Sequence, residues 1–342
     1  MEIPVPIQQA REQLEADRSL EAMNILMEAW HASPGDPDLR LELARVGRVL
    51  KSLRHRQILC QEIGDRDPRF GRDIDERYLI LERISETLGF SVYHVQDEKL
   101  GRPATLWFIE PLWRNSILSQ DWVMKRLRAL QEFDHPNVAR LQDCGAPADD
   151  LVFAALDPPD GSLISDCITT AGPFPLTRAV EIVLAILEAL AAGHEQKIFH
   201  GNLRTDHIVL REGGIRILDY GLYAMTRELH RARKVTRTGQ VPGAPAYLPP
   251  EFDGPAEPSA PWDVCSAGAL AFELITGKPP YGRPEPRQLR SFLAKMKEPI
   301  PPVGQGLPPW IDEVLGRMLA RDPSARYQTA NDAIQGFRDA LS

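Results

Sequence analysis

The sequence predicts an α+β chain in which a helical module precedes a small β-rich region and a larger helical region. Three observations carry this. Apolar and small residues recur at helical spacing from Ile7 to about residue 70; three strand-like runs lie between residues 78 and 109; and after residue 175 amphipathic helical patterns alternate with proline-rich loops. The 342 residues exceed one average domain, and 43% apolar with 26% charged side chains is ordinary for a protein that buries a sizeable core. Disorder, collagen and a membrane bundle are excluded on composition. The 48 acidic against 40 basic side chains give a net charge of −8, so no counterion release draws the chain to nucleic acid. Of those 40 basic residues only 8 are lysine.

In the first module, residues 1–76, Ala10, Leu14, Ala22, Leu26 and Ala29 follow helical spacing up to a stop at Ser33-Pro34-Gly35, which predicts a helical hairpin. A second helical stretch follows Asp36-Pro37-Asp38. At an offset of 34 residues Ile7 meets Leu41, Ala10 meets Ala44, Ile25 meets Leu59 and Pro34 meets Pro68. The period resembles that of tetratricopeptide repeats, although Arg56 and Ile63 stand where alanines are expected; an ordinary helical appendage is the alternative. Two such repeats are too few to stand alone, so a neighbouring domain or a partner is expected to cover them.

Next come Tyr78-Leu79-Ile80-Leu81, Ser91 to Gln96 and Ala104 to Ile109, read as three antiparallel strands with a turn at Asp97 to Arg102. A helix is predicted from about Ile117 to Glu132, with Val123, Leu127 and Leu130 on one face. Cys60, Cys144, Cys167 and Cys265 lack metal-ligand spacing and suggest neither a zinc site nor a disulfide framework. No signal-peptide pattern opens the chain, and Glu181, Glu188 and Glu273 interrupt its most apolar runs. Cytoplasmic residence without membrane insertion is the expectation.

Several short motifs then occur in a fixed order: His135-Pro136-Asn137-Val138, His200-Gly201-Asn202-Leu203-Arg204-Thr205-Asp206-His207, Asp219-Tyr220-Gly221, Pro249-Pro250-Glu251, Asp263-Val264-Cys265-Ser266-Ala267-Gly268, Glu273-Leu274-Ile275-Thr276-Gly277 and Asp322-Pro323-Ser324-Ala325-Arg326-Tyr327. Together they resemble a protein kinase domain of the bacterial serine/threonine type over roughly residues 78–340. The resemblance implies a bilobal fold over 77–342, with a small lobe of about 77–156 and a helical lobe of about 157–342. It also implies that Glu251 pairs with Arg326, that Asp263 accepts backbone hydrogen bonds from the loop around His200, and that Leu130, Tyr220 and His200 stack into a spine. These roles are architectural.

The positions that would handle phosphate depart from the family pattern. Phosphoryl transfer needs close backbone approach, a cation on the phosphates, ligands for magnesium and a carboxylate for the acceptor hydroxyl. The resemblance puts Ser85, Thr87 and Phe90 at the three glycine positions, with Gly89 displaced by one. It puts Trp107 at the strand lysine and Arg126 at that lysine's glutamate partner. A Trp107–Arg126 cation–π contact, worth about 0.5–2 kcal/mol, is one expectation; Trp107 filling the cleft as core is the other. Asn202 replaces the base, Gly201 the arginine before it, and His207 the amide ligand for magnesium. Arg204 and Asp219 remain as candidate contacts for a nucleotide, with Asp219 as sole metal candidate and a structural carboxylate as its other reading. A site built from His207 and Asp219 would suit a transition metal better than magnesium.

The expectation is therefore an inactive, kinase-like scaffold or allosteric partner needing no cofactor. The alternative is a divergent serine/threonine kinase that binds ATP weakly with magnesium or manganese. Arg227, Arg231, Arg233, Lys234 and Arg237 against Glu228 form a basic strip suited to an acidic or phosphorylated protein surface; a solvated loop is the other reading.

Overall fold

The computed structural model describes residues 3–342 apart from 51, 65–66, 68, 88–89, 110–118, 149–150, 226–244, 253–256, 286–287 and 305. The chain divides into two compact units, one of Met1–Pro111 with Gln142–Pro158, the other of Leu112–Leu141 with Pro159–Ser342.

The first unit opens with α1 (Val5–Glu15), α2 (Ser19–Ala32), α3 (Pro37–Val49) and α4 (Leu53–Glu62). Asp36 caps α3 by accepting hydrogen bonds from the amides of Asp38 and Leu39, with Pro37 at the first helical position, where its missing N–H leaves nothing unpaired. Strands β1 (Asp73–Ile74), β2 (Tyr78–Thr87), β3 (Phe90–Asp97), β4 (Arg102–Ile109), β5 (Leu141–Ala148) and β6 (Leu151–Leu156) form one sheet in the order β1-β2-β3-β4-β6-β5. The three expected strands are present, antiparallel and longer than their apolar runs, because ladder pairing carries β2 and β3 out to Thr87 and Phe90.

A boundary between residues 76 and 77 falls inside this unit. Leu79 of β2 is fully buried in the same cluster as Ile7, Leu26, Leu43 and Phe70. Gly71 and Arg72 exchange backbone hydrogen bonds with Ile80, lining the outer edge of the sheet, an edge that would otherwise present unpaired amides. Gly71 has φ +67°, and a Cβ there would lie 2.8 Å from the Ala44 carbonyl oxygen of α3, so only glycine allows that approach. Charges complete the junction: Arg45 and Arg48 of α3 both reach Glu98 in the β3–β4 turn, at 2.8 and 3.1 Å, and Arg48 also reaches Asp73. Arg45 and Arg11 converge on the buried Glu42. From the segment after α4, Arg69 lies over the rings of Tyr93 and Phe108 while Tyr93 donates to Asp67 at 3.0 Å.

The second unit holds α5 (Gln120–Gln131), β7 (Ser162–Leu163), α6 (Ile164–Ala171), α7 (Leu176–Glu195), the hairpin β8 (Ile208–Arg211) and β9 (Gly214–Ile217), then α8 (Ala260–Thr276), α9 (Leu289–Lys295), α10 (Pro309–Met318) and α11 (Ala330–Leu341). Helix α5, expected with the small lobe, groups here. Its apolar stripe of Val123, Leu127 and Leu130 is buried. The centre of the unit is α8, almost every residue of which is buried, packed beside α7, α10 and α11. A helix buried on every side belongs in the middle of a bundle.

Candidate functional site: the catalytic-loop region and the sheet positions around Trp107

The loop from His200 to His207 is held from beneath by α8. Asp263, fully buried, accepts the amides of His200 and Gly201 at 2.9 and 2.7 Å and also contacts His194 Nε2 at 2.9 Å. Three N–H donors on one carboxylate meet the demand of a buried charge for partners. The His200 imidazole is buried, which pushes its pKa below the ordinary histidine value. Tyr220 stands between the rings of His200 and Phe133, at 5.4 and 5.1 Å. A Cβ on Gly221 would come within 2.4 Å of Leu130 Cδ2. His200, Tyr220 and Phe133 thus stack in series, and Leu130 packs against the neighbouring Gly221.

Glu251 is held by the fully buried Arg326 in a two-pronged pair of 2.7 and 2.5 Å, and the same guanidinium donates to the carbonyls of Ala320, Pro261 and Arg321. A guanidinium fork matches a carboxylate edge to edge, so the pair fixes orientation as well as position.

Within the loop, Gly201 has φ +73°, and a Cβ there would meet Tyr223 Cδ1 at 2.6 Å and Pro258 Cγ at 2.7 Å. The space beside this residue is filled. Asn202 donates its backbone amide to His200 Nδ1. Arg204 forms a two-pronged pair with Asp206, two residues on. His207 closes a short 3-10 turn of Thr205–His207, with Nε2 3.9 Å from Asp219 Oδ2. Burial, with the charge of Arg204 and the neighbouring His200, pushes the His207 pKa down to about 3. Asp219 adopts φ +57°, a left-handed conformation that aspartate tolerates better than most residues.

In the first unit, Trp107 of β4 stands opposite Val92 on one side and Ala154 on the other. Its ring meets Phe90 edge-to-face at 5.6 Å, and its Nε1–H is buried with no acceptor among the described residues. Ser85, Glu86 and Thr87 stay in ladder register with β3 up to Phe90, leaving only residues 88–89 between the strands. Arg126 of α5 lies over Trp122, one turn earlier, at 5.8 Å. Trp107 and Arg126 belong to different units, and the ring contact described for each is local. The basic strip of Arg227, Arg231, Arg233, Lys234 and Arg237 lies outside the described residues.

Comparison with known proteins accords with this architecture. Residues 92–336 match the family model described as "Protein kinase domain", well over half of the chain. The chain belongs to the protein kinase family. It is 28% identical over 275 residues to serine/threonine-protein kinase PknL of Mycobacterium tuberculosis (strain CDC 1551 / Oshkosh), covering 79% of this chain and 67% of that protein. To serine/threonine-protein kinase PknB of Mycobacterium leprae (strain TN) it is 30% identical over 203 residues, covering 58% of this chain and 32% of the relative.

In the first unit the indole of Trp107 stands where the resemblance expects a lysine; in the second, the imidazole of His207 stands where it expects an oxygen ligand for magnesium, and Arg204 is paired with Asp206. Among the described residues no group of three or more His, Cys, Asp or Glu side chains converges as a metal site, and no helix is long and apolar enough to cross a membrane.

Sequence reasoning missed one polar cluster altogether. Glu273 of α8, buried, accepts hydrogen bonds from Tyr247 and from Arg283, and Thr205 meets the Tyr247 hydroxyl at 2.9 Å. The available signal was Glu273 itself, which with Asp263 is one of two buried carboxylates in an otherwise largely apolar helix and demands a donor from elsewhere.

Proposed function

We propose that this chain is a catalytically inactive member of its family that acts as a protein-binding scaffold or allosteric partner. The observation that carries the reading is the Trp107–Phe90 pair. Two aromatic rings pack edge-to-face where a nucleotide-binding member needs a cation and a glycine, respectively. Asn202 supports it, since an amide accepts no proton at neutral pH. So does Gly201: the arginine that would engage a phosphorylated loop is missing, and Tyr223 and Pro258 occupy its root.

Helices α1 to α4 are two consecutive hairpins with Ala10, Ala22 and Ala44 buried at their contacts, and we read them as a tetratricopeptide-like pair capped by the sheet. A partner with an acidic or phosphorylated surface would suit the basic strip between residues 227 and 237. Charge reversal at Arg231, Arg233 and Arg237 should then abolish capture of that partner in a pull-down, and unchanged capture removes the strip from the proposal.

A second reading, a divergent serine/threonine kinase with residual activity, is favoured by the kinases among its relatives, by Asp219 and by Arg204 in place of the loop lysine. A thermal-shift titration with ATP and magnesium or manganese separates the two. The scaffold reading expects no metal-dependent stabilisation at millimolar nucleotide. A saturable upward shift lost in Asp219→Ala favours the kinase.

A further inference from the structure

In the stretch before Pro249-Pro250-Glu251, which the kinase family resemblance equates with the end of an activation segment, Ala246, Tyr247 and Leu248 are all buried. What holds them is a ring of polar groups drawn from four separate stretches of chain. Glu273 comes from the middle helix of the bundle, Thr205 from the catalytic loop, Tyr247 from the segment itself, and Arg283 from the proline-rich loop after α8. Nη2 of Arg283 lies 2.6 Å from Glu273 Oε1, 2.9 Å from the Tyr247 hydroxyl and 3.4 Å from Thr205 Oγ1. The guanidinium also sits over the Tyr247 ring at 5.5 Å. Tyr247 donates to the other Glu273 oxygen, and Ser266 donates to the Tyr247 carbonyl at 2.8 Å.

The two ends of this ring differ in exposure. Glu273 is 3% exposed at the side chain, whereas Arg283 is 52% exposed. A carboxylate that far from water must be paired, and its only described cationic partner reaches in from the surface. The Arg283 guanidinium thus meets the buried Glu273 while about half of the side chain meets solvent.

We infer that Arg283 is a latch that fixes the end of the activation segment against the catalytic loop and α8 without any phosphorylation of the segment. The packing at Gly201 fits this, because Tyr223 and Pro258 close the place from which an arginine would reach a phosphate. The latch does not depend on whether the protein transfers phosphate. It predicts a surface that is preformed in the unmodified protein and that loosens when Arg283 withdraws.

Hydrogen exchange on the full chain tests it. In phosphatase-treated protein, the amides of Ala246 to Leu248 should be as protected as in untreated protein. Arg283→Met, which keeps the stem and removes the fork, should speed their exchange at least tenfold while the β8–β9 amides keep their protection. Tyr247→Phe, which deletes only the shared hydroxyl, should speed the same amides several-fold, and it decides the matter if Arg283→Met opens the whole unit. Wild-type exchange at 246–248 in Tyr247→Phe, or in a folded Arg283→Met, overturns the latch. Loss of protection on phosphatase treatment overturns its independence from modification.

Discussion

Replacing Arg326 by methionine removes a guanidinium while keeping most of the buried volume. The side chain is fully buried and makes five hydrogen bonds, two to Glu251 and three to the carbonyls of Ala320, Pro261 and Arg321. Breaking a buried ion pair by removing one partner costs about 3–5 kcal/mol. Glu251 is 32% exposed and recovers part of its hydration, which lowers that figure, whereas buried carbonyls left without donors each cost about 1–3 kcal/mol. A net loss of about 4 kcal/mol follows. In a unit of this size that corresponds to roughly 8–16 °C in Tm, at about 2–4 °C per kcal/mol. Scanning calorimetry of Arg326→Met, Glu251→Gln and the double variant measures both the loss and the coupling. Each residue chiefly serves the other, so the double variant should be more stable than additivity predicts by at least about 1.5 kcal/mol. A loss below about 1 kcal/mol, or strict additivity, would refute the claim that this pair holds the segment end to the helical unit.

Further predictions concern Gly71 and the acid limb. Gly71→Ala forces a Cβ to 2.8 Å from the Ala44 carbonyl at a left-handed φ and should cost about 2–4 kcal/mol, read as a lowered denaturant midpoint; a cost under 0.5 kcal/mol would mean that α3 and the sheet are not closely joined. The depressed His207 pKa means the fold favours the neutral ring: stability is full above the unfolded value near 6.5 and declines as pH falls from there toward 3. His207→Asn should therefore flatten the fall in Tm between pH 6.5 and 5. Identical slopes for the two proteins contradict the assignment. Burial alone would raise Asp97 and Glu98, but hydrogen bonds from Arg77 and Arg45 outweigh it and hold both below the usual carboxylate range. Their contribution is present above the unfolded carboxylate value near 4 and is lost as pH drops through the lower folded values; Arg45→Met should weaken the acid transition of the first unit, followed by tyrosine and tryptophan fluorescence.

Much of the fold was legible because its elements are built on local periodicity. The stripe of Val123, Leu127 and Leu130 and the short apolar run from Ala104 to Ile109 each state their own secondary structure. Strands β1 and β5 were not legible, one being two residues long and the other containing Gly145 and Pro147. Nor was the union of the helical module with the sheet. It rests on Arg45 and Arg48 finding Glu98 some fifty residues away, and on Gly71 passing under α3, neither of which leaves a periodic trace. At the site, the resemblance named which residues of this sequence fall at the phosphate-handling positions. It could not show that Tyr223 and Pro258 fill the space beside Gly201, or that the buried charge of Glu273 is met by Arg283 from a proline-rich loop. Both depend on where distant turns return.

The central claim, a kinase fold whose phosphate-handling groups have been replaced, is met most directly by measuring transfer of labelled γ-phosphate from ATP, with magnesium and with manganese, to the protein itself and to a generic basic acceptor protein. The account predicts no incorporation above that of Asp219→Ala. Incorporation that rises with enzyme concentration and disappears in Asp219→Ala would contradict it.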